Sequence, residues 1–467
     1  MISTESQATF FFRMFFSLGA AFLLRIYQPD LALLSVIGSA LFLFFCLSFF
    51  YKLGKSVPVR ELIIVIALLQ WVIGPILSYH FFKSSEFYYM SIDENSYMDF
   101  IVPATFFLII GLFLPIRRKI SEEITEENPA YFFQRGRTLL VLGFAAFFSI
   151  PFVSFNLQYF FILLSHASVI GAYYILKSNN RYKYLYLVAA FLPIIVNSTN
   201  SAVFHELFIW GGFTLIMITF INKSSFAFKI ISLLFLSLLI FTINTVKSDF
   251  REIVWADAPD QITNLASTQS RTQKNSNKLM QLVGNQLTEN NSSLNIESDN
   301  NQNFVDRINQ GWIISRIMYV VPKYEPFAHG ETIREGIYSA LLPRIVAENK
   351  ATSGGFKNFE RFTGLKLNGA SMNLGIVGEA YANYGENGGF LFMFIYGLFF
   401  NLVYTIFLNR SQRFKEYLLW LPFIFFYVIK AEDDFTGVFN QFIKSMVVMI
   451  LLLYVFKTFF KVKPVFT

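Results

Sequence analysis

Long apolar runs separated by short polar turns occupy most of this chain. Most runs are roughly 18 to 22 residues long, enough for an α-helix to cross about 30 Å of hydrocarbon. A transmembrane β-barrel would instead show short segments of alternating hydrophobicity. We therefore expect an all-α polytopic membrane protein with about twelve transmembrane helices. The predicted spans are 8–27, 31–51, 61–82, 100–116, 137–155, 157–177, 183–197, 202–222, 227–246, 389–409, 416–430 and 438–457.

One long polar stretch divides the apolar pattern, so that 1–246 carries the first nine predicted spans and 389–467 the last three. Its first part, 247–303, becomes rich in Asn, Gln, Ser and Thr from residue 257 onward. Such a composition buries too little apolar surface to offset the entropy of ordering, so we expect a mobile segment. From 304 to 388 apolar residues return at helical intervals, which predicts a loop with short helices, and its polar residues are the main candidates for chemistry.

Basic residues follow every even-numbered predicted span, as in the 52–60 and 117–119 turns. The odd-numbered exits are short, neutral or acidic, as in the 84–99 loop. By the positive-inside rule, both termini are expected in the cytoplasm and the long loop on the opposite side. The net charge of +7 comes mainly from these short basic turns, so we expect no nucleic-acid partner.

Composition narrows the possible chemistry. Hydrophobic residues make up 54% of the chain and charged residues 15%, far from the soluble average. The single cysteine, Cys46, lies in an apolar run, and the four histidines are dispersed, so neither a thiol centre nor a metal site is expected. The chain also contains no glycine-rich nucleotide cradle, and we expect no cofactor.

Several cations lie on the long loop, against the positive-inside bias: Arg307, Arg316, Arg334, Arg344 and Lys350. Arginine pairs bidentately with phosphate and keeps its charge, so a cluster of this kind suits a diphosphate on a membrane lipid. Contact with phospholipid headgroups is the ordinary alternative, and the residues alone leave both open.

The segment 378–385 brings a carboxylate, an aromatic ring and an amide together just before the tenth predicted span. Glu379 there is a candidate general base for a sugar hydroxyl, with Tyr381 and Asn383 as candidate contacts of the sugar. His329, the only histidine of the loop, is a second candidate base because histidine ordinarily titrates near neutral pH. The alternatives are a helix-capping role for Glu379 and a structural role for His329.

Ionisable residues within a membrane span are costly and tend to be functional, and three of those in the predicted spans stand out. His205 and Glu206 lie in the eighth span and Lys444 in the twelfth. An internal ion pair is the alternative explanation.

A distinct set of residues lies in the last third of the chain: Pro343, Arg344, Ile345, Asn349, Lys350, the segments 371–375 and 378–385, Gly388, and the acidic segment 430–434 ahead of Asn440 and Lys444. In these residues the chain resembles the bacterial oligosaccharide repeat-unit polymerases of the O-antigen polymerase (Wzy-type) class. The local pattern, centred on 310–388, covers about a fifth of the chain, and the layout of many spans with one large periplasmic loop is also similar to that class. The O-antigen ligases share this layout.

The resemblance implies a reaction at the periplasmic face of the bacterial inner membrane. A growing glycan on undecaprenyl diphosphate would be moved en bloc to a new lipid-linked repeat, without metal or nucleotide. Arg344, with Arg307 and Arg316, would hold the diphosphate leaving group, and Glu379 or His329 would accept the hydroxyl proton. The implied partners are lipid-linked glycans, membrane lipids and a chain-length regulator.

Three other functions remain open at this stage. An O-antigen ligase would have the same layout. A transporter of lipid-linked oligosaccharide or polysaccharide would show repeated halves and charges lining the bundle, and the chain contains no repeat that we detect. A non-catalytic scaffold for envelope assembly would tolerate single substitutions in the loop.

Overall fold

The computed structural model describes residues 7–81, 87–116, 129–256, 273–284, 305–342, 356–366 and 372–459. These residues form helices and no β-strand, and eleven of the helices are long and apolar enough to cross a membrane. The protein is an all-α polytopic membrane protein, as predicted. In chain order the helices are α1 (Gln7–Tyr27), α2 (Leu33–Lys52), α3 (Val59–His80), α4 (Glu94–Phe113), α5 (Pro129–Phe152), α6 (Leu157–Lys177), α7 (Lys183–Ser201), α8 (His205–Asn222), α9 (Phe226–Ala256), α10 (Gly311–Val320), α11 (Glu331–Leu341), α12 (Phe356–Thr363), α13 (Ile376–Ser411) and α14 (Phe435–Phe459).

Glycines allow two helices of the bundle to approach each other closely. A Cβ on Gly111 of α4 would lie 2.3 Å from the carbonyl oxygen of Phe394, and one on Gly397 of α13 would lie 2.6 Å from that of Leu108. Helices α4 and α13 therefore approach backbone to backbone. Membrane helices gain most of their association from such packing, because lipid tails are as apolar as the side chains that they replace.

Charged residues tie helix ends together on one side of the bundle, which we call the basic face. Lys52, at the end of α2, lies 2.5 Å from Glu61 near the start of α3. Arg135, near the start of α5, lies 2.7 Å from Glu416, which follows α13. These are the helix ends that follow even-numbered predicted spans.

The remaining helix ends meet on the opposite side, which we call the loop face. Glu94 at the start of α4 accepts a hydrogen bond from Ser35 at the start of α2 and lies 2.8 Å from His80 at the end of α3. Glu379 near the start of α13 contacts Phe435 at the start of α14. The chain thus crosses the bundle back and forth, as the alternation of basic and acidic exits predicts.

The predicted span 416–430 is not a continuous helix. It consists of a 3-10 helix (Lys415–Trp420), a single α-helical turn (Leu421–Ile424) and further turns. The segment nevertheless returns from the basic face to the loop face. Its start is located by the bond of Glu416 to Arg135, and its end by the bond of Phe435 to Glu379.

Burial explains how this broken segment is tolerated. Residues 418–421 and 423–426 are at most 1% exposed and Pro422 is buried, so protein rather than lipid surrounds the segment. Irregular backbone is stable at membrane depth only when protein encloses it. The ring of Pro422 also removes one helical hydrogen-bond donor. A long apolar run predicts that a segment leaves water, but it does not distinguish a lipid-facing helix from an enclosed irregular segment.

The long loop is more helical than its composition predicts. Residues 247–256 continue α9, and 273–284 form a helix in the part of the chain expected to be mobile. Leu279 and Leu282 of that helix pack against a buried cluster that includes Phe204 and Phe250, and Asn275 donates to the carbonyl of Thr199. The rest of 257–303 lies outside the described residues. Helices α10, α11 and α12 correspond to the ordered part of the predicted loop.

We expect Gly111→Val to lower the unfolding midpoint of the purified protein, because its side chain would meet the α13 backbone. Overpacking of this kind costs about 1 to 3 kcal/mol. Gly19→Val in α1 is the matched control, since no atom lies within 4 Å of a Cβ there. Thermal unfolding in detergent measures both variants, and equal midpoints would contradict the close approach of α4 and α13.

Candidate active site

A buried carboxylate joins three helices on the loop face. Glu379 of α13 is 1% exposed. Its Oε1 accepts a hydrogen bond from the Thr332 hydroxyl of α11 at 2.5 Å, and its Oε2 accepts one from the Phe435 N–H of α14 at 2.6 Å. A buried carboxylate needs such partners, since desolvation without them would cost several kcal/mol. We call this set of contacts the carboxylate tie.

Asn383 completes the carboxylate tie and fixes the loop before α11. Its Nδ2 donates to the Thr332 hydroxyl at 2.8 Å and to the carbonyl of Glu379 at 2.9 Å. Its Oδ1 accepts from the Gly330 N–H at 3.0 Å, and its own carbonyl accepts from the His329 N–H at 3.0 Å. The amide is fully buried and bonded within the protein.

His329 is the exposed member of this region. Its backbone has a positive φ of 46°, which is uncommon for a residue other than glycine. The hydrogen bonds that Asn383 makes to residues 329 and 330 hold this conformation. The imidazole therefore lies on a fixed loop and remains open to a ligand, whereas Glu379 does not.

Tyr381 is also too enclosed for the predicted contact with a sugar. It is 8% exposed, and its ring lies 4.9 Å from that of Phe100 and 6.2 Å from that of Phe327. The first part of α13, which carries Glu379 and Tyr381, is separated from the rest of the helix by a kink at Gly385. The φ of 65° and ψ of −160° at this residue are accessible essentially to glycine alone. Sugar contacts by Tyr381 and Asn383 would need a rearrangement, and they stay predictions.

The acidic segment 430–434 runs beside the carboxylate tie. Lys430 Nζ lies 3.2 Å from Asp433 Oδ2, and the Asn373 amide donates to Asp433 Oδ1 at 2.8 Å. Asp434 is buried, and its Oδ1 accepts from the Gly437 N–H at the start of α14. Burial raises the pKa of Asp434 to about 6, the Gly437 hydrogen bond opposes the shift, and the charge of Asp433 adds to it.

An irregular turn in α3 binds this segment to the loop. Pro75 has no N–H to donate, and the turn ahead of it, Leu69–Ile73, widens to π-helical geometry. The carbonyl of Gln70 accepts from the Gln310 N–H at 3.1 Å. The side-chain amide of Gln70 donates to Glu432 at 2.9 Å. Gln70 therefore connects α3, the start of α10 and the acidic segment.

Three cations lie together where α9 leaves the bundle on the loop face. Lys247 interacts electrostatically with Arg251 and Arg307, and Arg251 also interacts with Arg307. Burial lowers the pKa of Arg251 and of Arg307, and Arg307 lowers that of Arg251 further, although guanidinium groups stay charged at neutral pH. We call Lys247, Arg251 and Arg307 the cation cluster.

The cation cluster has no carboxylate within ion-pair distance among the described residues. Arg307 donates to the carbonyl of Asn244, and Arg251 donates to that of Ala202 at 3.1 Å. Lys247 is within electrostatic range of Glu432, which is already bonded to Gln70. The cluster therefore carries a surplus of positive charge.

Arg316 and Arg334 do not join Arg307. Arg316 donates to the carbonyl of Thr363 at 2.9 Å and faces the Tyr319 ring, which ties α10 to α12. Arg334 is exposed on α11. Arg344 and Lys350 lie outside the described residues. The sequence analysis placed these cations in one cluster because they share a loop. In the structure, Arg307 lies instead beside Lys247 and Arg251 of α9.

A second group of ionisable residues lies inside the bundle. His166 Nε2 is 3.7 Å from Glu206 Oε2, and both line a cavity of about 10 Å³ with Asn197. Lys444 lies over the Tyr159 ring at 4.3 Å. Glu206 thus has His166 as its close partner, and the sequence analysis allowed for an internal ion pair without naming this one.

Several residues of this region were not anticipated from the sequence. Lys247 and Arg251 lie in a segment assigned to a span end and a mobile stretch, and Thr332 gave no distinct signal. Gln70 and Pro75 did offer one, because a glutamine and a proline interrupt an otherwise apolar run.

Replacing Thr332 tests the carboxylate tie. Thr332→Val keeps the shape of the side chain but leaves Glu379 without one donor, so we expect a loss of about 1 to 3 kcal/mol in the free energy of unfolding. Thr138→Val is the matched control, because that hydroxyl is exposed and bonds only to the carbonyl of Gln134. Denaturant unfolding measures the difference, and Thr332→Ser should recover most of it. Equal stability of the two valine variants would contradict the tie.

The loop face thus combines a surplus of positive charge, an exposed imidazole and a buried carboxylate tie. This set of groups can bind a polyanion and accept a proton from a hydroxyl group. No group of three or more His, Cys, Asp or Glu residues that could hold a metal ion occurs among the described residues. Comparison of the chain with protein-family models, with curated proteins and with solved structures finds no match.

Proposed function

We propose that this protein polymerises oligosaccharide repeat units carried on undecaprenyl diphosphate, as the resemblance to the O-antigen polymerase class implies. The observation that supports this best is the cation cluster, a surplus of positive charge on the loop face where the chain leaves the bundle. Orientation by the positive-inside rule assigns the loop face to the periplasm and both termini to the cytoplasm. The membrane is then the bacterial inner membrane.

A lipid-linked diphosphate suits the cation cluster in charge and in depth. Lys247 ends the apolar part of α9, and Arg251 lies one turn beyond it, at the level where a lipid diphosphate would sit. Arginine donates pairs of hydrogen bonds to phosphate oxygens. As the glycosidic bond to the diphosphate breaks, negative charge develops on the leaving group, and the cluster would stabilise that charge.

The cation cluster and the carboxylate tie are close enough to act on one substrate. Glu432 is within electrostatic range of Lys247, and Phe435 donates to Glu379. Three residues of extended chain span at most about 11 Å, which bounds the separation of Glu432 and Phe435 along the backbone. A sugar next to the diphosphate would therefore reach the neighbourhood of His329 and Glu379.

The reaction forms one bond and breaks one. A hydroxyl oxygen on the non-reducing sugar of the new repeat attacks the anomeric carbon of the growing glycan, and the bond from that carbon to the diphosphate oxygen breaks. Undecaprenyl diphosphate leaves with the bonding electron pair, and the hydroxyl proton passes to a base and then to water. The exposed His329 is the better placed base, and the buried Glu379 acts as a positioning residue that holds Thr332, Asn383 and the His329 loop.

The partners of this proposal are the two lipid-linked glycans, the surrounding membrane lipids and a protein that regulates chain length. Neither a metal ion nor a nucleotide takes part, because the activated diphosphate bond of the substrate supplies the driving force. A ligase, which would transfer the finished glycan to another lipid, uses the same donor chemistry and differs in its acceptor.

A transporter of lipid-linked glycans is the second candidate function. The observation that favours it is the intramembrane pair of His166 and Glu206, since ionisable residues inside a bundle often mark ion or substrate paths. The polymerase is preferred because the larger surplus of charge lies on the loop face.

Substitution of the cation cluster tests the proposal in cells. We expect Arg307→Ala or Arg251→Ala to shift the surface-glycan ladder toward a single repeat, because each removes charge-assisted hydrogen bonds worth about 1.5 to 3 kcal/mol, roughly tenfold to a hundredfold in binding. Arg307→Lys, which keeps the charge but loses the bidentate geometry, should give an intermediate ladder. Gel analysis of the glycan, normalised to protein in the membrane, measures the effect.

Arg181→Ala is the matched control, because Arg181 is an exposed arginine at the basic face. It should leave the ladder unchanged. Long glycans that accumulate on undecaprenyl diphosphate would indicate a ligase, and single repeats trapped on the cytoplasmic side would indicate a transporter. Normal ladders from both Arg307→Ala and Arg251→Ala would remove the cation cluster from the mechanism.

A further inference from the structure

Helix α11 runs alongside the first turns of α14 and in the same direction. Thr332, in the first turn of α11, meets Phe435 through the Glu379 carboxylate. One turn later, a Cβ on Gly336 would lie 2.8 Å from the Phe435 ring and 2.9 Å from the Thr436 hydroxyl. Further along, the Ser339 hydroxyl accepts from the Asn440 amide at 3.1 Å. The two helices therefore progress together from the loop face inward.

This direction carries α11 below the level at which α14 begins its membrane span. Helix α14, which is long and apolar enough to cross a membrane, starts at Phe435. Asn440 lies five residues further along, which corresponds to about 8 Å at 1.5 Å per residue. Residues 341 and 342 follow Ser339 by less than one turn, so they lie deeper still. A helix at the membrane boundary buries its apolar face about 5 to 10 Å into the headgroup and acyl region.

The exposed side of α11 changes from charged to apolar along the same axis. Its first exposed positions are Arg334 and Glu335. Its later exposed positions are apolar or aromatic: Ile337 is 37% exposed, Tyr338 59%, Leu341 59% and Leu342 40%. For a helix that lies on a protein surface in water, no physical effect would concentrate the exposed apolar residues at one end.

We propose that α11 is a re-entrant helix that enters the bilayer from the loop face, with its C-terminal half against lipid acyl chains. Its first turn stays at the level of the headgroups, where Arg334 contacts phosphate and Glu331 pairs with Arg361 of α12. Leu341 and Leu342 lie in the hydrocarbon. This inference does not depend on the proposed reaction.

Lipid is the occupant that fits this surface best. The exposed residues of α11 continue the surface of α14, whose own exposed residues Val447 and Ile450 lie on a membrane span. Apolar side chains beside a lipid-facing span meet acyl chains directly. The charged residues at the other end of α11 suit the lipid headgroups. A protein partner that covered the whole helix would leave these charged residues buried and unpaired.

The seating of α11 in lipid would reach the candidate active site through one residue. Thr332 is in its first turn and donates to Glu379. A shift of α11 along α14 would move the hydroxyl of Thr332 relative to the carboxylate. Lipid contact at the C-terminal half therefore positions the group that holds the carboxylate tie.

Spin labels along α11 test the proposal in the full-length protein reconstituted in phospholipid nanodiscs. In a Cys46→Ser background, single cysteines at Arg334→Cys, Tyr338→Cys and Leu341→Cys carry the nitroxide. The relative accessibility to oxygen and to a water-soluble nickel chelate reports depth. We expect the oxygen-to-nickel ratio to rise severalfold from 334 to 341 and to approach that of a reference in lipid.

Two reference positions calibrate the scale. Leu234→Cys, 64% exposed within the apolar part of α9, represents lipid, and Lys323→Cys on the exposed turn after α10 represents water. Ratios at 338 and 341 equal to that at 323 would overturn the proposal, as would low accessibility to both reagents, which indicates cover by protein. Ile337→Cys replaces any variant whose unfolding midpoint falls below that of the background.

Discussion

The carboxylate of Glu379 is the interaction on which the loop face depends. It is buried at the junction of α11, α13 and α14, where an ionised or neutral carboxyl group without partners would be costly. The hydroxyl of Thr332 and the N–H of Phe435 satisfy its two oxygens. Asn383 then fixes the loop of His329 against the same helix. One carboxyl group thus sets the relative positions of a re-entering helix, an exposed imidazole and the last membrane span.

Charges pair on both faces of the bundle, as Lys430 does with Asp433 on the loop face, but the cation cluster does not follow this pattern. On the basic face, Lys52 pairs with Glu61 and Arg135 with Glu416, so the charges there hold helix ends together. On the loop face, the cation cluster has no carboxylate at ion-pair distance among the described residues. Arg307 is exposed and Lys247 and Arg251 are half-buried, so an anionic ligand can reach the cluster and supply its counter-charge. This contrast supports an anionic substrate on the loop face.

The membrane fold was largely predictable from the sequence, and the candidate site was only partly so. Long apolar runs indicate segments that leave water, so eleven spans were identified correctly. The segment 416–430 was wrongly predicted to be a helix, because hydropathy does not distinguish a segment enclosed by protein from one that faces lipid. Glu379 and His329 were singled out by their chemistry. The cation cluster was not, because Arg307 meets Lys247 and Arg251 through tertiary packing of distant segments. The role of Thr332 could not be predicted, because it depends on the hydrogen bond that its hydroxyl makes to Glu379 in the folded protein.

Reconstitution of the purified protein with one defined repeat unit on undecaprenyl diphosphate tests the proposed reaction most directly. Mass spectrometry of the lipid-linked products would follow chain growth and release of the carrier together. The proposed reaction gives glycans of two and more repeats with one undecaprenyl diphosphate released per linkage, and His329→Gln abolishes both while the unfolding midpoint stays unchanged. Substrate that remains a single repeat with the folded wild-type protein, or growth that persists in His329→Gln, would contradict the account.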